Sequence, residues 1–195
     1  MRHERKDLGP RHGRRWLTAI AIGALALSPV VVGADQSPAL AATDWSQVGG
    51  LGLGDIDGEA ASDSSGYSVS LSGDGTRVAI GAIDNDGTGT DAGHVRVYSW
   101  NGTTWSQLGA DIDGEAASDY SGYSVSLSDD GTRVAIGARS NDGSFSNAGH
   151  VRVYSWSGTA WSQLGADIDG EAASDFSGYS VSLSDDGTRV AIGAF

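Results

Sequence analysis

Residues 123–128 read Tyr-Ser-Val-Ser-Leu-Ser, with apolar and polar side chains in strict alternation. A period of two places Tyr123, Val125 and Leu127 on one face of an extended strand, and Ser124 and Ser126 on the other. The same period runs through 132–138, where Val134 and Ile136 oppose Arg133 and Ala135. It continues through 150–156, where Val151 and Val153 oppose His150, Arg152, Tyr154 and Trp156. A fourth run follows at 160–165. β-Branched and aromatic residues dominate and no stretch has a helical period, so the pattern predicts four short strands. Asp130-Gly131 falls between the first two, and Ser157-Gly158 between the last two, with Asn101-Gly102 as its equivalent one copy earlier. Such pairs supply the positive φ angles of tight hairpins. The Gly-, Asn- and Asp-rich segments 83–93 and 139–149 read as exposed loops between the second and third strands.

This unit recurs. The peptide DIDGEAASD starts at residues 55, 111 and 167, a constant spacing of 56, and GYSVSLSDDGTRVAIGA at 122–138 returns unchanged at 178–194. A repeat of this length marks stacked supersecondary units. A four-stranded meander cannot bury both of its faces alone, but it can do so against an identical neighbour, which is the logic of a propeller blade. The expected fold is therefore all-β: a β-propeller of four-stranded antiparallel blades, partial, with about two and a half blades at 55–108, 111–164 and 167–195. Trp45–Val48 reads as the orphan last strand of an earlier blade. Propellers need at least four blades, so the expectation is a truncated chain. Ser124, Ser126, Ala135 and Gly137 are small enough to let sheets approach at a hub, while Tyr154, Trp156 and Trp161 fill the wider outer gap.

The recurring Gly-Tyr-Ser-Val at 66–69, 122–125 and 178–181, followed by Gly-Ala at 81–82, 137–138 and 193–194, resembles the FG-GAP repeats of integrin-α-type propellers in their bacterial variant. The resemblance covers about residues 44–195. Ser65, Ser121 and Ser177 replace the family's Phe, and Ile83, Arg139 and Phe195 its Pro. The family's calcium loop between the two motifs is replaced by the short turn SDDG, so its calcium site does not carry over to that place. The WD40 blade is the second resemblance, on the Asp-Gly turn and the Val-Arg-Val strand. The period of 56 exceeds that family's, and the Trp-Asp pair is missing.

Outside the repeats, residues 1–15 are basic, 16–34 nearly all apolar, and Ala39-Leu40-Ala41 fits a small-residue cleavage site. That order predicts a signal peptide over 1–41, with Arg14-Arg15 hinting at twin-arginine export. An uncleaved anchor is the alternative and the one route by which a membrane is expected as a partner. The chain carries −13 overall; residues 1–41 carry +3, which leaves −16 on residues 42–195. Such a surface repels nucleic acid and anionic membrane. The absence of cysteine excludes disulfides, thiolate metal sites and a cysteine nucleophile.

Candidate chemistry is confined to the acidic loop. Asp55, Asp57, Glu59 and Asp63 in the first copy are candidate cation ligands, calcium being the ion that clustered carboxylates suit. Asp111, Asp113, Glu115 and Asp119 repeat them in the second copy, and Asp167, Asp169, Glu171 and Asp175 in the third. The competing reading is a solvated loop whose acids pair with Arg133 or Arg152. His94 and His150 read as hydrogen-bonded strand ends. The serines sit at repeated structural positions with no nucleophile elbow, so no catalytic residue and no other cofactor is expected. Asn101-Gly102-Thr103 fits a glycosylation acceptor, although its turn role suffices.

The function expected is a secreted or surface-displayed, non-catalytic module that binds an extracellular protein or glycan through the loops at 83–93 and 139–149. The alternatives are a purely structural surface repeat, or the propeller part of a larger extracellular enzyme.

Overall fold

The structure is a computed structural model that describes residues 54–195 and, upstream, only the backbone of two short strands. Those strands, β1 (Ile22–Gly23) and β2 (Ser46–Gln47), pair antiparallel. β2 falls within the run expected as a strand at Trp45–Val48, and its described partner is β1 rather than a strand of an earlier blade. Apart from the Ile22–Gly23 backbone, the signal-peptide reading lies outside the described residues. Among those described, no helix is long and apolar enough to cross a membrane.

The repeats fold as predicted into antiparallel sheets. The first holds β3 (Ser65–Leu71), β4 (Arg77–Ala82), β5 (His94–Trp100) and β6 (Trp105–Gln107) in that order, with β7 (Ile112–Asp113) also on β5. The second repeats it with β8 (Ser121–Leu127), β9 (Arg133–Ala138), β10 (His150–Trp156), β11 (Trp161–Gln163) and β12 (Ile168–Asp169). A hairpin of β13 (Ser180–Leu183) and β14 (Val190–Gly193) follows. The fold is all-β and blade-like, and the described sheets form an open row. Ile112–Asp113 and Ile168–Asp169, read from sequence as the loop that opens the next unit, pair with Val95–His94 and Val151–His150. They resume the fourth strand after an interruption, so each sheet extends past the boundary at 108 or 164.

The hairpins use glycine more sparingly than expected. In SDDG only Gly131 has positive φ, at 62°, and Asp130 does not. Ser128 N donates to Arg133 O at 3.0 Å, so the loop spans four residues rather than the two of a type I′ turn. Asp130 serves by side chain: its Oδ1 accepts from Ser128 Oγ at 2.7 Å and from Thr132 N at 2.9 Å. In the other hairpin Asn101 N donates to Thr104 O, which leaves Gly102-Thr103 as the two-residue loop. Gly102, with φ of 96°, holds the first central position, the place a type II′ turn reserves for glycine.

The main core lies between the first two sheets. Ala79, Val95, Val97 and Ile112 from one meet Val125, Leu127, Val134, Ile136 and Tyr154 from the next, with Leu108 and Trp161 at the margin. Neighbouring sheets approach most closely at their early strands. Ser68 Oγ donates to Gly122 O at 2.6 Å and Ser124 Oγ to Gly178 O at 2.7 Å, while Ser126 Oγ accepts from Leu183 N at 2.9 Å. A Cβ on Gly137 would stand 2.1 Å from Gly178 O, so no larger residue fits that crossing. At the wider side Tyr154 and Trp161 fill the gap, and Trp161 Nε1 donates to Leu108 O of the preceding unit at 2.9 Å. The expected division into a small-residue side and a bulky side therefore holds at the seam between neighbouring sheets.

Candidate functional site

The loops joining the second and third strands have a common base and a differing tip. At the base, Asn141 Nδ2 donates to Asp119 Oδ2 at 2.8 Å, Gly143 N to Asn141 Oδ1 at 2.8 Å, and Gly149 N to Asn141 O at 3.0 Å. Asn85 makes the same three bonds one repeat earlier, to Asp63, Gly87 and Gly93. Asp86 and Asp142 each accept from the backbone N–H five residues on, that of Asp91 and Asn147. Between these fixed points the copies differ: Thr88-Gly89-Thr90-Asp91 against Ser144-Phe145-Ser146-Asn147. Phe145, at the tip of the second loop, is 53% exposed.

The acidic loop does not act as one cluster. Asp63 and Asp119 are buried and belong to the loop bases just described. Asp119 Oδ2 and Asp175 Oδ2 also close their own turns by accepting from Ala116 N and Ala172 N. Asp57 and Asp113 offer backbone carbonyls, to Arg96 at 2.9 Å and Arg152 at 2.8 Å. Asp55, Asp169 and Glu171 are exposed.

Among the described residues two groups of three could hold a metal ion, Glu59–His94–Asp111 and Glu115–His150–Asp167, with donor atoms within 4.8 Å of one another. Each takes carboxylates from two different copies of the loop and adds a histidine. His150 Nδ1 lies 3.9 Å from Glu115 Oε2 and 3.7 Å from Asp167 Oδ2. Arg152 Nη1 stands 3.3 Å from Glu115 Oε1, so the pairing of the acidic loop with Arg152 holds. Arg133 instead donates to Gly187 O. Burial holds both histidines below their ordinary pKa, against the pull of the nearby acids. The four carboxylates were expected as cation candidates, but His94 and His150 read from sequence as hydrogen-bonded strand ends, whereas neither ring nitrogen of His150 has a hydrogen-bond partner. The acids arrive beside the histidines from two loops 56 residues apart, a juxtaposition that no local spacing displays.

Residues 45–98 match the profile of the FG-GAP repeat. Residues 45–98 are thus similar to one FG-GAP repeat. The match spans the first sheet through Tyr98, and Gly66–Ala82 within it recurs almost unchanged at 122–138 and 178–194. This decides between the two resemblances in favour of FG-GAP over WD40. A comparison with curated proteins found no match. In the three copies the turn between the two motif halves is closed by Asp74, Asp130 and Asp186, each bonded to the serine and threonine beside it.

Proposed function

We propose that this FG-GAP repeat chain is an exported, non-catalytic binding module that takes an extracellular protein or glycan on the loops joining its second and third strands. The observation that carries the reading is the loop construction: an identical hydrogen-bonded base supports a tip that changes between copies and, in one of them, exposes Phe145. Loops on a rigid scaffold are where binding residues concentrate, and an exposed aromatic ring is a common anchor for either ligand class. The basic, apolar and small-residue order of residues 1–41 supports export, and the acidic balance of the rest disfavours nucleic acid as a partner.

The test is a glycan array and an extracellular-protein pull-down with the full chain, beside a variant in which residues 144–147 are replaced by Thr-Gly-Thr-Asp, the tip of the other loop. Binding by the parent that drops at least tenfold in the variant supports the reading. Equal binding by both, or none by either, sinks it and favours a structural surface repeat.

A further inference from the structure

His150 on β10 is 1% exposed, and neither of its ring nitrogens has a hydrogen-bond partner. Buried polar atoms are nearly always partnered, so an orphaned imidazole calls for an explanation. Its surroundings supply one. Nδ1 faces Glu115 Oε2 at 3.9 Å and Asp167 Oδ2 at 3.7 Å, too far for a hydrogen bond. Each carboxylate has its other oxygen engaged: Glu115 Oε1 by Arg152 Nη1 at 3.3 Å, and Asp167 Oδ1 by Gln163 Nε2 at 2.6 Å. Those outer contacts orient the two remaining oxygens toward Nδ1, as groups behind metal ligands do.

The two histidine–carboxylate distances, 3.9 and 3.7 Å, suit a small divalent ion. Donors sharing an ion at about 2.1 Å stand about 3.4 Å apart in a tetrahedron and cannot be further apart than about 4.2 Å. One imidazole nitrogen and two carboxylate oxygens form a zinc-type donor set, whereas calcium wants six to eight oxygens. We propose that Glu115, His150 and Asp167 bind a zinc ion, with water completing the shell, and that Glu59, His94 and Asp111 form the same site one repeat earlier. There His94 Nδ1 stands 3.9 Å from Glu59 and 3.8 Å from Asp111, and Gln107 Nε2 and Arg96 Nη1 hold the outer oxygens. Glu115 lies just past β7 of the first sheet, while His150 opens β10 of the second and Asp167 lies just before β12. The ion therefore ties successive sheets together in a chain without cysteine.

The test is zinc titration of the chelator-stripped full chain by calorimetry, with metal content measured after dialysis. Asp111→Asn and Asp167→Asn, singly and together, keep the side-chain shape and separate these sites from any zinc held by His3 or His12. The parent is expected to bind two more zinc ions than the double variant, and each single variant one fewer than the parent. Zinc should raise the thermal midpoint of the parent and leave the double variant unmoved, with circular dichroism confirming that both fold. Should Asp167→Asn not fold, Glu115→Gln, at a side chain 46% exposed, removes a ligand of the same site. No zinc uptake by the parent, or equal uptake by parent and variants, overturns the proposal. A calcium-induced rise in midpoint equal to that of zinc overturns the assignment of the donor set.

Discussion

β3 and β8 are spelled with the same seven residues, yet Val69 and Leu71 are 55% and 47% exposed, where Val125 and Leu127 are 9% and 7%. Nothing within the strand accounts for this. Val125 and Leu127 lie against Ala79, Val95 and Val97 of the preceding sheet, and no described sheet covers β3. β5 and β10 show the same effect on their other face: Val97 is buried under a full sheet, and Val153, beside a two-stranded hairpin, only partly. Burial in this protein is a property of the seam between repeats rather than of the repeat. Each seam hides apolar area at about 25 cal/mol per Å², and a repeat with one seam keeps one wet face.

The sharpest way to break this comparison is at the glycine crossing. In Gly137→Ala the new methyl meets a backbone carbonyl of the next repeat, which cannot rotate away, and the expected loss is about 3 kcal/mol or more. In Gly193→Ala the nearest atom is the Ser180 hydroxyl of its own hairpin, at 2.3 Å, and the loss should be about 1 kcal/mol. Urea midpoints of the two variants read the difference; equal losses would mean that the first strands do not meet as described.

Leucine truncation comes next. Leu127→Ala should cost about 2–4 kcal/mol and Leu71→Ala less than about 1 kcal/mol, in the same denaturation experiment. Similar costs would show that Leu71 is covered too. A smaller effect is expected at the outer tryptophans. Trp161→Phe removes the bond to Leu108 O and should cost about 1 kcal/mol. Trp105 Nε1 has no partner, so Trp105→Phe should cost less.

The smallest effect is that of acid on the turns. Hydrogen bonds from Ser184 and Thr188 hold the Asp186 carboxyl at about 2, below its ordinary 3.8, and Asp130 is lowered by Ser128 and Thr132 in the same way. A carboxyl with a depressed folded pKa stabilises the fold above its unfolded value, and that contribution is lost as pH falls through the folded one. The thermal midpoint should therefore fall between pH 4 and pH 2, and Asp130→Asn with Asp186→Asn should flatten that slope.

The strands were legible because alternation and turn residues are local: 123–128 and 150–156 announce themselves within a few letters. The close approach at Gly137 was legible from residue size. β7 and β12 were not, since two residues flanked by Asp and Gly carry no periodicity and their pairing with β5 and β10 is set by tertiary position. Asp130 was read through backbone conformation, whereas its side chain does the work. The acidic loop was legible as a cluster in sequence and dissolves in space, because Asp119 turns inward to Asn141 while Glu115 and Asp167 turn toward His150.

The interrupted fourth strand has a consequence for how such a chain can be cut. A protease acting at the exposed Gly109-Ala110 would leave His94 and Val95 on one fragment and their partners Asp113 and Ile112 on the other. The nicked pieces should therefore stay clasped, much as a link held shut by the next link's hook, and migrate as one body until a denaturant parts them.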